Sequence, residues 1–278
     1  MAQTDCWLNN ETVLREFKGF FDDVNQRFSQ FYEEQFDTNE IALDGNLGNY
    51  LRSEEILGLH LKRINRERNR TNYPSLSLAC RHITHGEGTH GADLGLILRL
   101  NLPNEQILDK AVLIQSKRLY IDSNREFSDK SEYRELFGRI QNRNAESNNR
   151  LPPQWDRMLN QTSSSVYFIY SPEKFLYKNK LLDLGLRVIP AQRIAGIFNS
   201  SSSPRRSFTA YHAYKMARPF SQWMTENFIC CSIGDMSSQV INTALGRNTN
   251  FSIRSSLEMS IYADETNSGR MELDLWNR

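Results

Sequence analysis

The run Lys110-Ala111-Val112-Leu113-Ile114 passes directly into Gln115-Ser116-Lys117-Arg118, and that junction constrains the architecture more than any other stretch. Side chains alternate across a strand, so a segment that is apolar at successive positions must be covered on both faces. Such a strand sits in the middle of a sheet, and the helix-like segments that flank the strand-like ones along the chain predict an α/β sandwich around it. The polar residues at the far end mark where the strand emerges from the core. Alternation puts Gln115 and Lys117 on one face and Ser116 on the other.

A second strand-like run, Gly91-Ala92-Asp93-Leu94-Gly95-Leu96-Ile97-Leu98-Arg99-Leu100, precedes it, and Asn101-Leu102-Pro103-Asn104-Glu105-Gln106 between the two is short and rich in turn formers. That pattern predicts an antiparallel hairpin. The start of one strand then meets the end of the other, which makes Asp93 a neighbour of Gln115 and Lys117. A carboxylate, an amide oxygen and an ammonium gathered in this way suit a hard divalent ion beside a phosphate. Mg²⁺ accepts one carboxylate and one amide and keeps several waters, while a lysine orients or helps to deprotonate an attacking water. Taken singly, each residue also has a plain structural use: Asp93 as a turn cap, Gln115 facing solvent, Lys117 and Arg118 solubilising a strand end.

Gly91-Ala92-Asp93, an apolar hairpin and Gln115-Ser116-Lys117-Arg118 together resemble the PD-(D/E)XK nuclease superfamily. The closer likeness is to the branch with Gln in place of the second acid, as in Mrr-type restriction endonucleases and effector nucleases of bacterial anti-phage systems. Ala92 stands where the family name has proline. The resemblance covers about residues 45–200 and implies a restriction-endonuclease-like α-β-β-β-α-β core, a mixed sheet flanked by helices. It also implies that Asp93 ligates Mg²⁺ or Mn²⁺, that Gln115 occupies the place of the second acid, and that Lys117 is the catalytic lysine. The activity implied is metal-dependent endonucleolytic hydrolysis of DNA, double-stranded rather than single-stranded, with RNA as a weaker option. The setting implied is a prokaryotic defence system gated by a sensor such as an ATPase or helicase, with self-association as a further option. A second function class competes, in which the same fold is a non-catalytic binding or assembly module.

An acid from the preceding helix often completes such a site. Residues 46–69 read as that helix, with Leu57, Leu61 and Ile64 at helical spacing. Glu54 shares their stripe and would be a third metal ligand, with Glu55 as the adjacent alternative; either is equally a surface acid near a helix N-terminus. His82, His85, Glu87 and His90 invite a zinc reading, but an extended segment running into a glycine-rich turn is not the helical His-x-x-x-His face. Glu87 is instead a candidate helper at the metal and His90 at a phosphate, or both belong to a plain hairpin tip. Gln154 opens a predicted helix over residues 152–159 and is a further candidate helper, or else a capping residue.

Residues 131–143 also read as helical. Residues 164–170 and 186–190 read as strands, and residues 199–206 as a polar boundary. Beyond it come helices over 220–228 and 237–245 and a strand over 256–262. The chain thus divides into an N-terminal helical part (1–44), a nuclease-like core (45–200) and an α+β C-terminal extension (201–278). Residues 11–36 form a strongly amphipathic helix lined with Phe17, Phe20, Phe21, Phe28 and Phe31, for core packing or for docking a partner.

The formal net charge of +1 gives no global basic field, so any nucleic-acid contact must come from local clusters. Three exist: Lys62-Arg63 with Arg66, Arg68 and Arg70; Arg118 with Arg125 and Lys130; and Arg205-Arg206 with Lys215 and Arg218. Cys6, Cys80, Cys230 and Cys231 show neither a disulfide framework nor metal-pair spacing, which predicts a reducing cytoplasm. Neither a signal peptide nor a membrane-length apolar run is visible.

Overall fold

The computed structural model describes residues 10–71, 74–85, 91–101, 108–120, 132–133, 153–199 and 208–264. Helices α1 (Glu11–Glu34), α2 (Glu40–Leu51) and α3 (Glu54–Arg70) are followed by strands β1 (Ser75–Thr84), β2 (Ala92–Asn101), β3 (Leu108–Tyr120) and the short β4 (Glu132–Tyr133). Then come α4 (Gln154–Leu159), β5 (Ser165–Tyr170), the ribbon β6 (Lys174–Tyr177) and β7 (Lys180–Asp183), β8 (Arg187–Pro190) and α5 (Ala191–Asn199). The remainder is β9 (Phe208–Thr209), α6 (Ala210–Met216), β10 (Arg218–Pro219), α7 (Phe220–Gln222) running into a π-helical stretch (Trp223–Ile229), α8 (Ser238–Ala244) and β11 (Ile253–Asp264).

The main sheet has the order β1-β11-β2-β3-β5-β8-β10. It is mixed: β2 and β3 are antiparallel with Leu94 opposite Ile114, whereas β5 runs parallel to β3 and β11 parallel to β2. Successive residues Ala111, Val112, Leu113 and Ile114 are all buried, as the apolar run required. One face is covered by α1, α2, α3 and the π-helical stretch, with Phe17, Phe20, Phe21, Val24 and Phe28 packed in one cluster with Leu94, Leu96, Val112, Ile114 and Phe168. The aromatic stripe of α1 therefore serves the core, and each buried Phe contributes about 2 kcal/mol of apolar transfer. The opposite face carries two smaller clusters. Ile97, Ala111 and Leu113 meet Met158, Val240 and Ala244, while Tyr167, Ile169 and Ile189 meet Phe175, Ile194 and Ala213.

Local chemistry fixes the helix starts that matter for the site. The Asn10 side chain accepts the N–H groups of Thr12 and Val13, and that of Asn39 accepts the N–H of Ala42, which satisfies first-turn donors. The single helix expected over 46–69 is two, because Arg52 and the extended Ser53 separate α2 from α3. Two residues within the helix expected over 131–143, Glu132 and Tyr133, are a strand bonded to β3 and β9; the edge of β3 offered backbone partners that helical propensity does not register. Residues after 200 do not form an appendage: β11 lies inside the sheet, between β1 and β2. Cys80 and Cys231 are free, but Cys230 is disulfide-bonded. One bonded cysteine is a departure from four free thiols, and it is not the multi-bridge framework that the spacing also lacks. Among the described residues no helix is long and apolar enough to cross a membrane.

Candidate functional site

Asp93, Gln115 and Lys117 meet at one end of the β2–β3 pair. The register that sets Leu94 opposite Ile114 carries Asp93 opposite Gln115, and the Gln115 Nε2 amide donates to Asp93 Oδ2. The same oxygen accepts the Ser116 N–H at 2.9 Å. Lys117 lies one alternation further along, its Nζ 3.8 Å from Glu40 Oε2. All three side chains are buried: Asp93 is 2% exposed, Gln115 0% and Lys117 3%. Burial at that depth is costly for charges unless each meets a partner.

Two acids of α2 reach this strand end, and one of them is such a partner. Glu40 and Asp44 are one helical turn apart and so share a face. Glu40 meets the Lys117 ammonium and accepts the Arg118 N–H at 3.2 Å. Asp44 Oδ1 accepts the Ser116 hydroxyl at 2.5 Å and the Tyr170 hydroxyl. Residues 115–117 of β3 are therefore gripped from both faces of the sheet, Gln115 and Lys117 toward the Asp93 side and Ser116 toward Asp44. Neither acid was singled out in the sequence. The signal was present as the stripe Glu40, Leu43, Asp44, Leu47 and Leu51 behind an Asn39 cap, but the helix was expected to begin only at residue 46.

A second partner, Arg254, comes from β11. Ile253 pairs with Ala92 and Ser255 with Leu94, which sets Arg254 beside Asp93, and its Nη2 is ion-paired with Asp93 Oδ1. Burial raises the Asp93 carboxyl above the ordinary range, and Arg254 and Lys117 pull it back. Glu40 is likewise raised by burial against the opposing pull of Lys117. Asp44 is pushed up to about 7 by burial and by the charge of Asp93, despite its bonds from Ser116 and Tyr170.

The other expected residues lie elsewhere. Glu54 and Glu55 are exposed at the start of α3, and Glu55 pairs with Arg27 at 2.7 Å. Helical side chains lean toward the N-terminus, so acids in the first turn project off the end of the helix rather than onto the sheet beneath Leu57 and Leu61. This corrects the assignment of Glu54 as a metal ligand and of Glu55 as its alternative. Gln154 is half-buried at the start of α4, and among the described residues no hydrogen bond joins it to Asp93, Gln115 or Lys117. Glu87 and His90 fall outside the described residues. Of the remaining histidines of that segment, His85 contacts Ser256 Oγ at 2.5 Å and His82 packs against Gly48 of α2. In the first basic cluster Arg63 faces Glu16 at 3.6 Å and Arg70 faces Glu67 at 3.7 Å. Arg118 donates to the Phe36 carbonyl at 2.6 Å, and Arg218 faces Glu226 at 3.5 Å. Arg125, Lys130, Arg205 and Arg206 fall outside the described residues.

Two observations test whether a divalent ion suits these residues. The buried Gln115 Oε1, and the buried hydroxyl of Tyr167 on the residue paired with Gln115, both lack a hydrogen-bond partner in the protein. Orphaned oxygens beside a carboxylate are what a hard, partly hydrated cation takes up. Among the described residues, however, no group of three or more His, Cys, Asp and Glu side chains converges on one metal position. The donors present are one carboxylate, already paired with Arg254, and two unpartnered oxygens, a set in which a hard cation would have few protein ligands and which does not suit tetrahedral zinc. No protein-family model matches the chain, and comparisons with curated proteins and with solved structures return no match.

Proposed function

We propose that this chain is a metal-dependent endonuclease that hydrolyses DNA phosphodiester bonds on a restriction-endonuclease-like α/β core. The observation that carries the reading is the meeting of Asp93, Gln115 and Lys117, remote along the chain, at one strand end with Glu40 beside the lysine. A sheet needs no such trio for its stability, and burying it has a cost. Asp93 and Gln115 Oε1 would hold Mg²⁺ or Mn²⁺, which supplies charge neutralisation at the phosphate and a more acidic bound water. Lys117 orients the attacking water and takes part in its deprotonation. Glu40 holds the Lys117 side chain in place, and the Ser116 N–H fixes Asp93 against β3. Double-stranded DNA as substrate, an ATPase or helicase as gating partner, a role in anti-phage defence and self-association belong to the same proposal. A cytoplasmic setting belongs to it as well.

The test is nicking of supercoiled plasmid with Mg²⁺ against EDTA. Wild type is expected to convert plasmid in a Mg²⁺-dependent way, and Lys117→Ala to do so about 100-fold more slowly or worse. Plasmid left intact by folded wild-type protein, including with its genomic partners and their trigger, overturns the reading.

One specific observation favours the alternative of a non-catalytic binding or assembly module: Arg254 already neutralises Asp93. In that case Arg254 is a permanent counter-ion, and the protein binds its partners equally well with Asp93→Asn.

A further inference from the structure

Arg254 lies where the Asp93 carboxylate would meet a cation. Oδ2 of Asp93 is committed to the protein, because it accepts the Gln115 amide and the Ser116 N–H. Oδ1 faces the Arg254 guanidinium. The two side chains differ sharply in depth: that of Asp93 is 3% exposed and that of Arg254 25%. Arg254 thus runs from a buried carboxylate toward the surface. Its backbone is fixed, since its carbonyl accepts the His85 N–H at 2.8 Å. Just before it, a Cβ on Gly91 would overlap the Ser252 carbonyl, so β11 and β2 are closely apposed. Any exchange at Asp93 must therefore come from rotation of the Arg254 side chain rather than from movement of the strand.

A divalent cation bound at Oδ1 would stand beside the guanidinium charge, and two positive charges on one carboxylate repel each other. The ion that enters loosens Asp93's hold on Arg254, and the loosened guanidinium still needs an anion. A guanidinium carries five N–H donors in a planar fork that matches two phosphate oxygens. The anion that arrives with the metal at a phosphodiester-cleaving site is the substrate's own phosphate. We infer that Arg254 is a substrate-binding residue stored on Asp93: it neutralises the carboxylate in the metal-free protein and passes to a backbone phosphate of the nucleic acid when the metal takes that carboxylate. The inference rests on the nuclease reading for the identity of its ligand.

The signature is reciprocal. In a Lys117→Ala background that slows hydrolysis, Mn²⁺ binding is followed by electron paramagnetic resonance, and binding of a short fluorescent DNA duplex by anisotropy in Ca²⁺ at fixed salt. Arg254→Gln is expected to tighten Mn²⁺ binding about 10-fold, because a competitor has gone, and to weaken duplex binding about 10-fold, because a phosphate contact has gone. Arg254→Lys should recover part of the duplex affinity. A residue that merely held β11 in place would, when replaced, weaken both or neither. Affinities that move in the same direction, that stay unchanged, or an absence of Mn²⁺ binding in every variant overturn the inference. A reciprocal shift combined with an inert wild type in the plasmid assay leaves Arg254 exchange standing and removes only hydrolysis.

Discussion

Replacing Asp44 by Asn should change the pH dependence of stability, and the structure sets the size of the change. The Asp44 carboxyl is pushed from 3.8 to about 7 by full burial and by the nearby Asp93 charge. At 1.36 kcal/mol per unit, ionising it in the folded chain costs about 4 kcal/mol relative to the unfolded chain. Between those two values the folded protein holds a proton that the unfolded chain has released. The unfolded state then binds fewer protons, so this group's contribution to stability is complete below about pH 4 and is lost as pH rises to about 7. Asn is isosteric and keeps an oxygen for Ser116 and Tyr170, but has no charge to bury. Its own packing and unpaired-amide costs do not depend on pH, so the change in the variant's effect between pH 5 and pH 8 isolates the titration. Urea unfolding of both proteins at the two pH values should show Asp44→Asn gaining about 3 kcal/mol relative to wild type on going from pH 5 to pH 8. An effect of Asp44→Asn that is the same at both pH values would refute the argument.

Two further substitutions probe how the rest of the fold supports the site. Lys110 sits in β3 and donates to the carbonyl of Phe228, within the π-helical stretch, and to that of Ile233, beyond it; Lys110→Met leaves Phe228 with only the Cys231 N–H and takes the Ile233 carbonyl's donor, and should cost about 1–3 kcal/mol, read as a fall in Tm. An unchanged Tm would show that the Ile233 carbonyl finds another partner. Gly95 in β2 faces α8, where an added Cβ would overlap the Ala244 backbone. Gly95→Val should therefore lower stability by about 1–3 kcal/mol in chemical denaturation, and a neutral effect would mean that α8 is not seated against the sheet.

The sequence was most legible where one period dominated. Alternation in β3, with apolar residues on both faces and then Gln115 and Lys117 on one, was enough to place a central strand, its emergence and its antiparallel partner. The meeting of Asp93 with Gln115 followed from register alone. What stayed hidden depended on contacts remote in sequence. Glu40 and Asp44 lie on a helix whose start was misjudged by six residues, the distance from the actual Glu40 to the expected 46. An Asn39 cap followed by a polar first turn is easily taken for loop. Arg254 stands at the second position of β11, before the stretch that reads as strand, and the pairing of that strand with β2 has no local signal. The disulfide at Cys230 was equally silent, because spacing does not specify disulfide pairing.

The division into a helical head, a nuclease-like core and a C-terminal extension fails for the same reason, and the site shows why. Residues 45–200 would contain Asp93, Gln115 and Lys117 but not Glu40, Asp44 or Arg254, all of which meet them directly or through Ser116. Such a fragment would leave Lys117 without Glu40, Ser116 without the Asp44 carboxylate and Asp93 without Arg254. It would also lack α1, whose aromatic side chains belong to the cluster covering Leu94, Val112 and Ile114. Each of those losses falls on a strand end that is polar in a buried setting, where unpaired groups cost most. Pairings over such sequence separations carry a large loop-closure cost, which the rest of the fold has to offset. The three polar residues visible in the sequence can therefore act as a site only in a chain that has brought α2 and β11 to the same end of the sheet.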